Sequence, residues 1–460
     1  LETMTADAPE TRFSISNNSS HLYQDHFSYI LEYKNGTQTD GFFDLELLKK
    51  SLNILVRKHY KPVAGWFQAH NNSIDVVYYS DKFNDPPVTT QTLDMDYETL
   101  SRHVHDSNVE LLVPAASSTE ITFEDNDIPM IMVKVTYLES NEAVVLGISY
   151  HHSLMDGTSF WTFMANWSAL CKHLYEHGDT AEFDIPNSPT FEFPDISHFH
   201  NPSKKFEHPE YILVDPDQYH TKLQPGSEKI VETILEISVE QQQALRQQAR
   251  DIGVSFTELL CAVMWKGING LRLELDPEIG SGLSFYTCIL NSRTRTGVSN
   301  NVCASPVINT PCERTVAEVA ALEVCDIAQL VHEAIAKCTG EYLSSSFRYL
   351  HKQFLQELDD TRNNWVGKKV MCAFTCSAPV KCVIASSRTF PIYSTDFGFG
   401  TPEYVHPPYL PYDGFVRIWP TPMYDARSSN APLHVYVSQP EHVDLSQSPL
   451  FAQFLKRNID

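Results

Sequence analysis

The run His151-His152-Ser153-Leu154-Met155-Asp156-Gly157 brings two imidazoles, a carboxylate and a glycine within seven residues. An imidazole ionises near neutrality and suits abstraction of a proton from a hydroxyl or an amine. Asp156, four residues beyond His152, can hold a positive side chain or cap a helix, and Gly157 permits a tight turn. From the residues alone two readings stand. One is a general base projecting into a cleft; the other is a histidine-rich turn whose aspartate only caps the next helix. The ten cysteines, spread from Cys171 to Cys382, offer less. Their one cluster, Cys372, Cys376 and Cys382, fits no zinc spacing, and a disulfide framework would staple a smaller chain. No metal site is expected.

The flanking elements decide whether His152 is held stiffly. Ala143 to Tyr150 reads as a strand, beside a second strand with Ile131, Val133, Val135 and Tyr137 in alternation. Thr158 to Leu174 carries Phe160, Trp161, Phe163, Met164, Trp167, Leu170 and Leu174, a broad apolar helix. A histidine between such a strand and such a helix is well placed to act. Upstream, Leu45, Leu48, Leu52, Leu55 and Val56 predict a helix capped by Asp44 and stopped by Pro62. Trp66-Phe67 and Ile74 to Tyr79 read as a hairpin about Asn71-Asn72.

Pro186 to Pro225 holds seven of the 27 prolines and little periodicity, so it reads as a crossover between two units. Beyond it Val231, Thr233, Leu235 and Ile237 alternate as a strand. Ser238-Val239-Glu240-Gln241 and Ser255-Phe256-Thr257-Glu258 are capping-box patterns, the first opening a helix that Gly253 can close. The expected division is 1–185, a crossover at 186–228, and 229–460, each half mixing strands and helices as an α/β fold.

The chain has 460 residues, and 34 Lys+Arg against 58 Asp+Glu give a formal charge of −24. That acidity argues against nucleic acid and against anionic membrane surfaces as partners. No stretch approaches 18 consecutive apolar residues. The opening Leu1-Glu2-Thr3-Met4 lacks a basic region followed by an apolar run, so a cytoplasmic protein is expected.

His152-Ser153-Leu154-Met155-Asp156-Gly157 matches the HxxxDG motif of CoA-dependent acyltransferases, and Asp396-Phe397-Gly398-Phe399-Gly400 resembles the DFGWG motif of the BAHD family. Weaker matches lie at Tyr60-Lys61-Pro62-Val63-Ala64-Gly65, Val263-Met264-Trp265-Lys266 and Asn291-Ser292-Arg293-Thr294-Arg295. The resemblance implies two similarly sized chloramphenicol-acetyltransferase-like domains, each a mixed β-sheet with helices, with a solvent channel between them. It implies an acyl-CoA co-substrate, no permanently bound cofactor, a small-molecule alcohol or amine acceptor, and a monomer. Carried over residue by residue, His152 is the general base of a ternary complex with no acyl-enzyme. Asp156 turns away and pairs with an arginine of the second domain, Arg293 before Arg295. Gly157, Asp396, Gly398 and Gly400 support the site, and Ser255 and Thr257 lie on the CoA side. Two departures stand out: Phe399 replaces the tryptophan of DFGWG, and Ala385-Ser386-Ser387 replaces Thr-Ser-Trp near the acceptor pocket. The alternatives are a condensation-type enzyme using a carrier-protein thioester and an inactive acyl-CoA-binding scaffold of the same fold.

Overall fold

The computed structural model describes residues 10–15, 26–36, 41–70, 73–79, 84–105, 109–114, 129–178, 182–214, 229–359, 364–365, 369–373, 378–410 and 412–454. The strands of the first half are β1 (Glu10–Ser14), β2 (His26–Lys34), β3 (Trp66–His70), β4 (Ser73–Tyr79), β5 (Val88–Leu93), β6 (Ile131–Leu138) and β7 (Ala143–His151). Its helices are α1 (Leu45–His59), α2 (Tyr97–His105) and α3 (Gly157–His177). β7 is buried at all nine positions because it lies between β2 and β6, with neighbours on both edges and both faces covered. Asp44 caps α1 by accepting from Glu46 N at 2.8 Å. The helix stops at His59, and Pro62 falls in the short 3-10 turn just after it. β3 and β4 form the expected hairpin, though its turn at Asn71-Asn72 lies outside the described residues.

The second half adds β8 (Tyr211–Val214), β9 (Ile230–Ile237), α4 (Val239–Ile252), α5 (Phe256–Leu275), β10 (Leu283–Asn291), β11 (Val307–Asn309), β12 (Cys312–Thr315), α6 (Val316–Ala321), α7 (Val324–Ala336) and α8 (Gly340–Glu357). Next come β13 (Leu358–Asp359), β14 (Asn364–Trp365), β15 (Lys369–Cys372), β16 (Val380–Ser386), β17 (Tyr404–His406), β18 (Phe415–Pro420) and β19 (Leu433–Pro440). Both capping boxes are present, and Gly253 closes α4 in the left-handed conformation at φ 77°.

Each half has its own mixed sheet. The second runs β11-β10-β16-β18-β19-β9, with β12 also on β10. One of its faces is buried under α5 in a core containing Leu260, Trp265, Ile384, Val416 and Val435. The first runs β17-β2-β7-β6-β5, with α1 and α3 contributing to its core.

Two features depart from the expected division. β17, far into the second half, pairs antiparallel with β2 and completes the first sheet. The crossover is less irregular than its prolines suggest: β8 lies within it and pairs with β15. Buried Glu210 fastens the crossover to α8, accepting from Tyr342 Oη at 2.5 Å and Ser346 Oγ at 3.0 Å.

Candidate active site

β7 ends at His151, and the chain turns before Asp156 opens α3, so His152 stands on a turn between a central strand and a long helix. Its ring is partly buried, edge-on to Phe27 at 4.4 Å, and its Nδ1 lies 3.3 Å from the Oγ of fully buried Ser305. With Nδ1 protonated and donating to Ser305, Nε2 keeps a lone pair and is the basic atom. Burial lowers the His152 pKa to about 4, opposed by the Asp156 carboxylate and by the residue's own carbonyl. The ring is therefore neutral at pH 7.

Asp156 does not take part in a relay with this ring. Its Oδ1 accepts from Ser159 N at 2.9 Å, which caps α3. Arg293 grips the same carboxylate from the second half, Nη1 on Oδ2 and Nη2 3.2 Å from Oδ1. Ser159 Oγ and the carbonyls of Val302 and Ala304 lie within 3.0 Å of Arg293 Nη2. Both partners are buried, Arg293 completely. The pair fixes the α3 N-terminus to the segment carrying Ser305, and thereby sets the two sides of the His152 ring. Arg295 is not the partner; its Nη2 points to Ile335 O at 3.5 Å.

Gly157 serves a purpose other than a tight turn. It is the first residue of α3, and a Cβ there would come 2.6 Å from the ring of Phe390. The glycine lets the 390–400 segment approach the start of α3.

That segment is a dock between the halves. The Asp396 Oδ1 accepts from the N–H groups of Gly398 (2.8 Å) and Gly400 (3.0 Å), and its Oδ2 from Lys172 Nζ of α3 at 2.6 Å. Burial raises the Asp396 pKa, but the Lys172 ammonium and these two N–H donors outweigh it and hold the carboxyl below its usual range. Gly398 and Gly400 have φ of 101° and 97°, which other residues adopt only with strain. Phe397 is fully buried against Trp167 at 4.8 Å, and Phe399 stacks on Phe43 at 5.0 Å.

On the other side, Ser255 accepts from Glu258 N at 3.2 Å as the α5 cap, and Thr257 Oγ1 accepts from Arg388 Nε at 3.2 Å. Arg246 and Arg388 both lie over the ring of Phe256, at 4.8 and 5.6 Å. Of the expected cysteine cluster, Cys376 lies outside the described residues.

Sequence reasoning missed Ser305, Phe27, Phe390 and Lys172; each meets its partner from a distant segment, without a local pattern to mark it. It also missed Ser345, His208 and Glu210, linked at 3.0 and 3.1 Å in the order of a nucleophile, base and carboxylate. Ser345 lies inside α8, whose own backbone N–H groups are spent on the helix and do not serve it as oxyanion donors.

Three neighbouring histidines make the fold acid-sensitive. Burial lowers the His26 pKa to about 4, opposed by the Pro129 carbonyl, and drives that of His151 well below 6.5, helped by His26 and His152. All three rings stay neutral in the fold, whereas an unfolded chain takes up protons from 6.5 downward. The stability they contribute is complete above pH 6.5 and is lost as the pH falls towards about 4. The melting temperature should therefore drop between about pH 6.5 and 5, before carboxylates titrate. A flat profile over that range would show the rings to be charged in the native state.

The BAHD acyltransferases' family model, described as the Transferase family, matches residues 4–442. Shikimate O-hydroxycinnamoyltransferase of Nicotiana tabacum is 23% identical over 334 residues, 70% of this chain and 69% of its own. Hydroxycinnamoyltransferase 1 of Oryza sativa subsp. japonica is 22% identical, with 97% of this chain and 96% of its own covered. Among solved structures, F. graminearum TRI101 complexed with ethyl coenzyme A has a TM-score of 0.70 at 15% identity, covering 94% of this chain and 95% of that one. Vinorine synthase has a TM-score of 0.65 at 18% identity, covering 99% and 95%. Both structures show the same fold of two mixed-sheet units. With the family model spanning nearly the whole chain, this protein belongs to the BAHD family of acyl-CoA-dependent acyltransferases, with acyl-CoA as its co-substrate.

Proposed function

We propose that the enzyme transfers an acyl group from acyl-CoA to a hydroxyl or amine of a small-molecule acceptor, in one ternary complex, with His152 as general base. His152 Nε2 takes the acceptor proton as oxygen or nitrogen attacks the thioester carbonyl carbon. The tetrahedral oxyanion then collapses, the C–S bond breaks, and the imidazolium returns the proton to the CoA thiolate. The observation that carries this reading is the neutral His152 ring, held through Nδ1 on a turn between a central strand and a helix.

Direct transfer is supported by the state of the nearby nucleophiles. Ser305 is fully buried, and burial holds the Cys303 thiol far above its ordinary pKa, in part against the Arg293 charge. Neither is suited to carry an acyl group. For CoA we favour the start of α5, where exposed Ser255 and partly buried Thr257 stand beside Arg246 and Arg388, cations suited to phosphate oxygens. We read the enzyme as a cytoplasmic monomer of secondary metabolism. Among the described residues no helix is long and apolar enough to cross a membrane.

The test is thiol release from acetyl-, malonyl- and coumaroyl-CoA against pooled alcohols and amines. Release that requires an acceptor is expected, and the active pool distinguishes oxygen from nitrogen acylation. Binding of CoA without any acceptor-dependent release would instead favour a scaffold.

A further inference from the structure

The second sheet presents two unlike faces. Val416, Ile418, Val435, Val437 and Leu235 enter the core beneath α5. The alternate residues Arg417, Trp419, His434, Tyr436 and Glu232 turn the other way, and Trp419 and Tyr436 belong to the core of the first half. Through Trp419 and Tyr436 this face packs against the first half, which carries His152.

Arg417 is the anomaly on that face. It is 4% exposed, and its guanidinium carbon lies 5.5 Å from the ring centre of Tyr436. Its Nη2 meets the Glu232 carboxylate, which also accepts from Ser438 Oγ at 3.1 Å. Nε and Nη1 have no partner among the described residues, and Nη2 has Glu232 as an ion pair only, with no hydrogen bond. A guanidinium withdrawn from water with open donors is unfavourable unless another group completes them. Burial lowers the Arg417 pKa to about 10, opposed by Tyr436 and Tyr29, so it stays charged at neutral pH.

Its place relates it to His152. Tyr29 stacks on Trp419 at 5.9 Å and shares a face of β2 with Phe27, whose ring touches His152. Ala385 and Ile234, in register beside Arg417 and Tyr436, are only partly buried. Glu232 already balances its charge. A substrate carboxylate would bring a second anion against Glu232, whereas carbonyl or hydroxyl oxygens satisfy the donors without one.

We propose that Arg417 is a substrate-binding residue that donates from Nε and Nη1 to oxygens of a neutral, oxygen-rich group on a substrate of this enzyme. The inference rests on the acyl-transfer reading above.

The experiment compares the wild type with Arg417→Met, Arg417→Lys and the double variant Arg417→Met/Glu232→Gln. Thiol release from acetyl-CoA is followed with methyl quinate, quinate and cyclohexanol as acceptors, and KM is measured for acetyl- and coumaroyl-CoA. The wild type should use methyl quinate at least about tenfold better than cyclohexanol, and better than quinate. Arg417→Met should raise the KM for methyl quinate about tenfold or more, with partial recovery in Arg417→Lys. A raised KM for coumaroyl-CoA but not for acetyl-CoA would support the same chemistry with the acyl group as its source. A wild type that prefers cyclohexanol or quinate, or an Arg417→Met variant with every KM unchanged, overturns the proposal.

Thermal melting gives a second readout that needs no acceptor. The double variant should melt no lower than the wild type, since it removes an uncompensated polar group. A large fall would make Arg417 a structural strut and overturn the proposal. Absence of thiol release from the wild type counts against acyl transfer itself, and the melting result then still decides the role of Arg417.

Discussion

Replacing His152 with alanine should lower kcat by about 10²–10⁴-fold and leave the protein folded. The ring is partly exposed and its loss opens no buried charge, so melting temperature and CoA binding should stay near those of the wild type. Steady-state thiol release on purified, folded protein checks it; a variant retaining more than about a tenth of the activity would remove His152 from the role of base. The pH profile gives an independent reading. With its pKa lowered to about 4, the ring is fully deprotonated at pH 7, and protonation silences it only as the pH falls through that value. Over the range in which the fold survives, kcat/KM should show no acid limb near 6.5.

Asp156→Ala should damage the fold as well as turnover. Arg293 would keep its charge, fully buried, with its carboxylate gone, and α3 would lose its cap. Breaking a buried pair on one side costs about 3–5 kcal/mol, to which the cap adds about 1 kcal/mol. Urea denaturation measures this directly. A variant that unfolds at the wild-type midpoint but turns over slowly would instead place Asp156 in the chemistry. Asp156→Asn should fall between, since an amide oxygen can still cap Ser159 N while the charge is lost.

Much of this was legible in the sequence, wherever the determining interaction is local. The caps at Asp44, Ser238 and Ser255 each act across two or three residues, and all three form as the pattern suggests. The β7-turn-α3 unit that presents His152 is likewise read from adjacent segments. What escaped was decided at long range. β17 is three residues long, too short for any periodicity, and is a strand only because β2 accepts it. Arg293 and Arg295 stand two residues apart, and only the tertiary arrangement directs one to Asp156 and the other to Ile335. Gly157 looks like any turn glycine until Phe390 is placed against it. Ser305 reaches His152 across 153 residues of chain.

The capture of β17 by the first sheet has a consequence for how the protein is made. β2 lies between β7 and β17, so without Tyr404–His406 it is an edge strand with open backbone donors and acceptors. On the ribosome, the first half is synthesised long before those residues emerge. That edge is then exposed through most of translation, at about 5–20 residues per second, and is the nascent chain's sticky site. Fragments ending after the crossover inherit the same open edge. The first half, expressed alone, should aggregate rather than yield an isolated domain, and this two-domain architecture can be completed only after nearly the whole chain has been synthesised.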